Sequence, residues 1–315
     1  MLTAAAIVLG LVLLYVGGEL LVRGSVAVAA ALGMSPLLIG ITLVGFGTST
    51  PELVTSIDAA LRGLPGIAVG NVVGSNIANI LLILGLGAVI APIAFTQRAL
   101  SRDVFVVALS GIAVLALAAV GEVGRVAGIA LVLALAAYLA LAQAQERTRG
   151  RTAAAATVAA ATVVNPWLSL LVAVVGIAIV VVGAHLLVDG AVELAAFFGV
   201  SDTVVGLTVV AVGTSLPELA TTVTAALRRQ GDVALGNILG SCIFNVFGIL
   251  GVTAIVQPLI VPAVIFRFDA WVLLATTLLL VVFAITGRRL SRTEGIVFVV
   301  AYAGYVAWLA ATAVS

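Results

Sequence analysis

Gly47-Thr48-Ser49-Thr50-Pro51-Glu52 and Gly213-Thr214-Ser215-Leu216-Pro217-Glu218 decide how this chain is read. The two stretches stand at an offset of 166 residues. Each places a carboxylate, hydroxyls and a proline inside a segment otherwise apolar enough to cross a bilayer. A charge near the bilayer centre costs about 2.5–3.5 kcal/mol on insertion scales, so such a residue marks a functional site by default. Two in matching positions strengthen the case.

The surrounding composition fixes the class. Of 315 residues 63% are hydrophobic and 9% charged, and the mean hydropathy is +1.36. A soluble domain carries about 25% charged residues. The chain therefore reads as an all-α integral membrane protein. Its net charge of +1 gives no electrostatic case for nucleic acid. One cysteine, Cys242, forbids an intrachain disulfide, and with one histidine it argues against a zinc or copper site. All fourteen basic residues are arginine.

Segments of about 17–25 apolar residues can span as helices. Ten are expected, at residues 2–22, 36–61, 66–91, 103–120, 124–145, 166–188, 202–227, 232–257, 270–286 and 295–313. The first lacks a cleavage site and is read as a retained span. A linker at 146–165, with Arg147, Arg149 and Arg151 and an Ala/Thr-rich run, divides a first five-helix repeat, 1–145, from a second, 166–315. With the N-terminus outside, eleven arginines fall in cytoplasmic loops and only Arg62, Arg125 and Arg267 outside. That bias places both termini outside and the linker in the cytoplasm.

The constant offset extends well beyond the motif. Gly17 meets Gly183, Leu20-Leu21-Val22 meets Leu186-Leu187-Val188, Pro92 meets Pro258, and Asp103 meets Asp269. Because five spans is an odd number, the second copy starts from the opposite side. The expectation is two inverted-topology repeats, an architecture of many secondary transporters.

The chemistry of the motif points to a hard cation. Glu52 lies about 6 Å along the helix from the centre of its span at ~1.5 Å rise per residue. It shares a face with Thr48 and Ser49. Pro51 cannot donate a backbone hydrogen bond and frees the carbonyl of Gly47. Freed carbonyls at membrane depth are tolerated where they line a cavity or bind something. Carboxylate, hydroxyl and carbonyl oxygens together are what Ca2+ takes, about 6–8 per ion. Thr214, Ser215, Pro217 and Glu218 repeat the set. The competing reading, a kinked helix whose glutamate pairs with arginine, lacks an arginine at matching depth.

The following spans carry polar stripes at i, i+4, i+8: Asn71, Ser75, Asn79, and Asn237, Ser241, Asn245. Gly70/Gly74 and Gly236/Gly240 permit close helix approach. Asn71 and Asn237 are read as interhelical glue, and Ser75, Asn79, Ser241 and Asn245 as candidate ligands. Glu19 and His185 align near span ends and suit an interfacial role. Asp58 reads as a helix-end charge, Asp103 and Asp269 as helix N-terminal charges, and Cys242 as packing. Trp167, Trp271 and Trp308 suit interfacial anchoring.

G-T-S-x-P-E followed by G-N-x-x-G-S, twice, in ten spans, resembles the cation/calcium antiporter superfamily, and within it the prokaryotic sodium/calcium exchangers. The resemblance covers nearly the whole chain. It implies a secondary antiporter exchanging Ca2+ for Na+ by alternating access, not an enzyme. Ca2+ and Na+ would be its substrates, the lipid bilayer its surroundings, the cell membrane its location. No cofactor and no protein partner is implied. By motif position it implies cation ligands at Thr48, Ser49, Glu52, Ser75, Asn79, Thr214, Ser215, Glu218, Ser241 and Asn245, with the main-chain carbonyls of Gly45 and Ala211. In the family, spans one and six slide past the core, and Gly17, Gly18, Gly24, Gly183 and Gly190 suggest surfaces kept smooth for that movement, although glycine also serves simply for close packing. Well-studied members carry aspartate at one of the positions held here by Asn79 and Asn245. An H+- or K+-coupled exchanger and, from another class, a passive cation channel are the alternatives; a receptor with a structural ion would carry no flux.

Overall fold

The structure, a computed structural model, describes residues 2–32, 34–97, 99–157, 165–197 and 211–313. Among them eight helices are long and apolar enough to cross a membrane, and a bent pair supplies a ninth candidate. In chain order these are α1 (Leu2–Leu32), the pair α2 (Pro36–Thr48) and α3 (Thr50–Leu61), α4 (Pro65–Ile90), α5 (Arg102–Val120), α6 (Arg125–Thr157) and α7 (Pro166–Phe197). Then come α8 (Ala211–Thr214), α9 (Leu216–Leu227), α10 (Gly231–Val256), α11 (Ile265–Gly287) and α12 (Arg292–Ala313). The expected span 202–227 begins on residues outside the described set. The rest is an all-helical, multi-pass membrane protein.

Local chemistry sets the helix ends. Ser35 caps α2 by accepting from the Leu38 amide at 3.2 Å, with Pro36 in the first turn. Gly121, at φ +83°, closes α5 in the left-handed conformation. Ser291 and Glu294 form a reciprocal capping box at the start of α12. α6 runs on to Thr157 through the arginine-rich stretch, where alanine supports helix. α1 likewise continues ten residues past the expected end at 22.

Two short antiparallel ribbons tie the halves together. β1 (Ile93–Ala94), after α4, pairs with β4 (Arg289–Leu290), before α12. β2 (Glu122–Val123), between α5 and α6, pairs with β3 (Leu259–Ile260), after α10.

Burial sorts the helices. The apolar stretch of α10 is 83% buried and that of α4 72%, whereas α12 is 11% buried. So α4 and α10 form the centre, and α12 turns large apolar side chains such as Val300 and Trp308 outward. Outward apolar surface of this kind suits lipid. Trp167 and Trp271 are also exposed.

Glycine sets the tightest approaches. A Cβ on Gly240 would stand 2.3 Å from the Ile41 carbonyl, and one on Gly236 2.4 Å from that of Leu37, so α10 lies directly on α2. For Gly70 and Gly74 the corresponding stretch, 203–207, is outside the described residues. α1 and α7 pack as a pair, where a Cβ on Gly24 would meet the Ala173 nitrogen at 2.5 Å and one on Gly176 the Leu21 nitrogen at 2.5 Å. Of the two uses weighed for these glycines, close packing holds for most of them. Gly17, Gly24 and Gly183 join α1 to α7, and it is Gly18 that faces the core, against Ala220 and Thr224 of α9.

Candidate functional site

The two motifs break their helices in the same way. Ser49, at φ −84° and ψ 11°, separates α2 from α3, with a bend of 44° between them. Ser215, at φ −90° and ψ 7°, separates α8 from α9. At each break the proline sits in the first turn of the following helix, where its missing N–H costs nothing. Glu52 and Glu218 occupy the same first turns, facing the positive end of the helix dipole.

Both glutamates are fully buried. Ser49 Oγ donates to Glu218 Oε1 at 2.7 Å, and Ser215 Oγ to Glu52 Oε1 at 3.3 Å. Each carboxylate is thus held by the serine of the other motif. Ser241 Oγ lies 3.2 Å from the Gly45 carbonyl and 3.4 Å from Glu218 Oε1. Thr48 Oγ1 lies 3.3 Å from the same carbonyl and 3.2 Å from Asn237 Oδ1. The carbonyl drawn into the cluster is therefore that of Gly45, not the Gly47 carbonyl that proline geometry singled out. Thr214 Oγ1 reaches Asn71 Oδ1 at 3.5 Å. Ala211 opens α8.

Asn71 and Asn237 act as the spacing suggested. Asn71 Nδ2 donates to the Glu52 carbonyl at 3.2 Å and to Ser56 Oγ at 3.0 Å. Asn237 Nδ2 donates to the Glu218 carbonyl at 3.2 Å and to Thr222 Oγ1 at 2.9 Å. These bonds pin the first turn that carries each glutamate. Ser56 and Thr222 were not singled out by sequence; their matching offset was the available signal.

The second half of each stripe lies in a wide, π-helical stretch. Asn79 is in Ala78–Leu84 and Asn245 in Phe244–Leu250. Such stretches recur at functional sites because they re-aim side chains. Asn76, one residue beside the stripe, was missed: its Oδ1 accepts from Asn245 Nδ2 at 3.2 Å. Its signal was an amide at mid-span opposite Cys242 in the repeat.

Among the described residues several buried polar atoms in this region make no hydrogen bond. They are Glu52 Oε2, Glu218 Oε2, Ser75 Oγ, Asn76 Nδ2, both amide atoms of Asn79 and Asn245 Oδ1. No ion pair reaches either glutamate among the described residues. Unpaired oxygens in a dry interior are costly. Carboxylate, hydroxyl and amide oxygens with spare lone pairs form a donor set for a hard cation.

The other charges lie apart from this cluster. Asp58 pairs with Arg62 one turn on at 2.7 Å, both exposed. Asp103 is buried against Arg102 and accepts from Tyr138 Oη at 2.8 Å, while Asp269 accepts from Tyr305 Oη at 2.9 Å. Both therefore do more than charge a helix start. Glu19 meets two arginines whose side chains are themselves exposed. Because α1 extends to Leu32, it sits within the helix, where it pairs with Arg23 and with Arg228 at the end of α9. His185 is exposed and Cys242 buried.

Comparison with known proteins identifies relatives along nearly the whole chain. The model of the sodium/calcium exchanger protein family matches residues 2–143 and 168–311. A putative antiporter, CaxA of Alkalimonas amylolytica, is 36% identical over 97% of this chain and 98% of its own. The sodium/calcium exchanger MaX1 of Methanosarcina acetivorans is 34% identical over 95% and 96%. Among solved structures, the sodium-calcium exchanger NCX_Mj soaked with Na+ and Sr2+ is 34% identical, with a TM-score of 0.82 over 97% of this chain and 98% of that one.

Proposed function

Since the chain belongs to the sodium/calcium exchanger protein family, whose members are transporters rather than enzymes, we propose that it exchanges Ca2+ for Na+ by alternating access. The observation that carries this is the reciprocal pairing of Ser49 with Glu218 and Ser215 with Glu52, which leaves one oxygen of each carboxylate unpartnered in a buried cluster. Glu52 and Glu218 supply the charge. Thr48, Ser49, Ser75, Thr214, Ser215, Ser241, Asn79 and Asn245 supply neutral oxygens, with the Gly45 and Ala211 carbonyls. Ca2+ and Na+ are the substrates and shed water as these oxygens replace it. Because the two ions compete for the same charge, loading one displaces the other.

The architecture is ten spans in two inverted repeats of five, with the linker between them. The ribbons support the inversion. α4 ends at β1, α5 then crosses to β2, and β2 pairs with the strand that ends α10. The corresponding helices α4 and α10 thus end on opposite faces. A family model matching two separate stretches supports the same division. The α1–α7 pair is the moving body, and it meets the core through Gly18 and through Ile177 against Gly47. The arginine bias supports both termini outside a cell membrane. Glu19 agrees with it, since Arg23 and Arg228, both assigned to the cytoplasmic face, meet there.

The test is 45Ca2+ uptake into liposomes under imposed Na+, K+ and H+ gradients. Uptake driven by outward Na+ alone is expected. Uptake driven only by K+ or H+ changes the counter-ion. Flux with no exchangeable ion on the far side indicates a channel, and no flux at all a receptor.

A further inference from the structure

Asn76 and Asn245 join the two halves of the chain by one hydrogen bond between amides, buried at the centre of the protein. Asn76 lies where the α-helical part of α4 meets its π-helical stretch, and Asn245 lies in the π-helical stretch of α10. Asn245 Nδ2 donates to Asn76 Oδ1 at 3.2 Å, and Asn245 Oδ1 has no partner. Asn245 stands one helical turn beyond Ser241, whose hydroxyl lies 3.4 Å from Glu218 Oε1. Asn245 therefore lies on the same side of α10 as Ser241.

An asparagine can serve a cation through only one of its two terminal atoms. Turned the other way it presents an NH2 group, which repels the ion. A carboxylate at the same place has no wrong face. We infer that Asn76 is a positioning residue: by accepting from Asn245 Nδ2 it holds the amide with its oxygen toward the cation cavity, and so lets an asparagine serve as a ligand there. A bound cation reinforces the arrangement, because polarising the Asn245 carbonyl strengthens its N–H as a donor. This inference rests on the reading of Asn245 as a ligand.

The two asparagines of the stripes are then unequal. At the position corresponding to Asn76, the second half carries Cys242, whose thiol adjoins Asn79. A thiol is a weak donor and a weak acceptor. Apart from that thiol, neither amide atom of Asn79 has a hydrogen-bond partner. Asn245 is held by an amide, and Asn79 adjoins only a thiol.

The experiment is calorimetric titration of Ca2+ into purified full-length protein in detergent without Na+. Asn76→Leu keeps the branching at Cγ and removes the acceptor. It is expected to weaken Kd by about tenfold, the lower end of the loss seen when a metal ligand's supporting partner is removed. In the Asn245→Asp background either oxygen can face the ion, so the same substitution is expected to change Kd by less than about threefold. Equal losses in both backgrounds show a packing role and overturn the inference, as does an unchanged Kd for Asn76→Leu. Should that variant not fold, Asn76→Ala carries the same expectation in both backgrounds. Asn245→Leu separates the premise: wild-type Kd there removes Asn245 from the ligand set, whatever Asn76 does.

Discussion

Ser49 Oγ gives its hydrogen bond to Glu218 Oε1 at 2.7 Å, a carboxylate that belongs to the other half of the chain. Ser215 returns the contact to Glu52. Neither motif completes its own oxygen cluster. The two serines are also the break points of their helices, so the bend that separates α2 from α3 and the contact that orients Glu218 come from one residue. Movement of one half against the other would alter both carboxylate environments together.

The first prediction concerns the carboxylates. Glu52→Gln and Glu218→Gln are each expected to abolish Ca2+ transport in liposomes. Each removes a charge that has no ion-pair partner among the described residues. The substitution is therefore expected to leave the melting temperature of the ion-free protein unchanged or raised. Wild-type transport rates in both single variants would remove these residues from the site.

The second concerns the glue. Asn237 donates to both the Glu218 carbonyl and Thr222 Oγ1 in a fully buried setting. Asn237→Leu leaves two buried acceptors without that donor, at about 1–3 kcal/mol for an unsatisfied group. A lower melting temperature at fixed scan rate is expected, and adding Thr222→Val should recover part of the loss. A melting temperature equal to wild type would show that the amide does not hold the turn.

Much of this was legible because apolar length, proline and offset are local properties. The carboxylate motifs, the polar stripes and the glue role of Asn71 could be read from spacing alone. Three features could not. Asn76 faces Asn245 because a π-helical stretch re-aims the side chains, and spacing counted on a regular helix misses that. Gly17 and Gly24 look the same in sequence as Gly18, yet only contact tells which face meets α7 and which meets α9. The first helix was ended at residue 22 because the apolar run thins near Arg23, whereas it continues to Leu32.

The third prediction tests the moving pair. A Cβ at Gly18 would stand 2.8 Å from Thr224 Oγ1, so sulfurs at these two positions come within reach of an S–S bond of about 2.05 Å. Gly18→Cys with Thr224→Cys, oxidised, is expected to stop exchange while Ca2+ binding persists, and reduction should restore flux. Cys242, the native thiol, is buried and does not compete. Full turnover in a fully cross-linked sample would rule out large motion of α1 against α9.

The last prediction follows from charge. Asp58, Asp103 and Asp269 are engaged with Arg62, with Arg102 and Tyr138, and with Tyr305, away from the cluster. With asparagine at both 79 and 245, Glu52 and Glu218 are the only carboxylates in the cluster among the described residues, and they give it at most two negative charges. One Ca2+ neutralises them, and so do two Na+. A third Na+ would leave a net positive charge in a low-dielectric interior, where Coulomb energies are several times those in water. The resemblance to sodium/calcium exchangers points the other way, because such exchangers commonly move three Na+ and an asparagine can stand in for a neutral aspartic acid. Electrostatics favours two monovalent ions per Ca2+. Ca2+ uptake driven by a fixed Na+ gradient is therefore expected to be insensitive to a potential clamped with valinomycin and K+. A reversal point that shifts with voltage would establish a charge-moving ratio, and the neutral amides of Asn79 and Asn245 would then have to accommodate the extra ion.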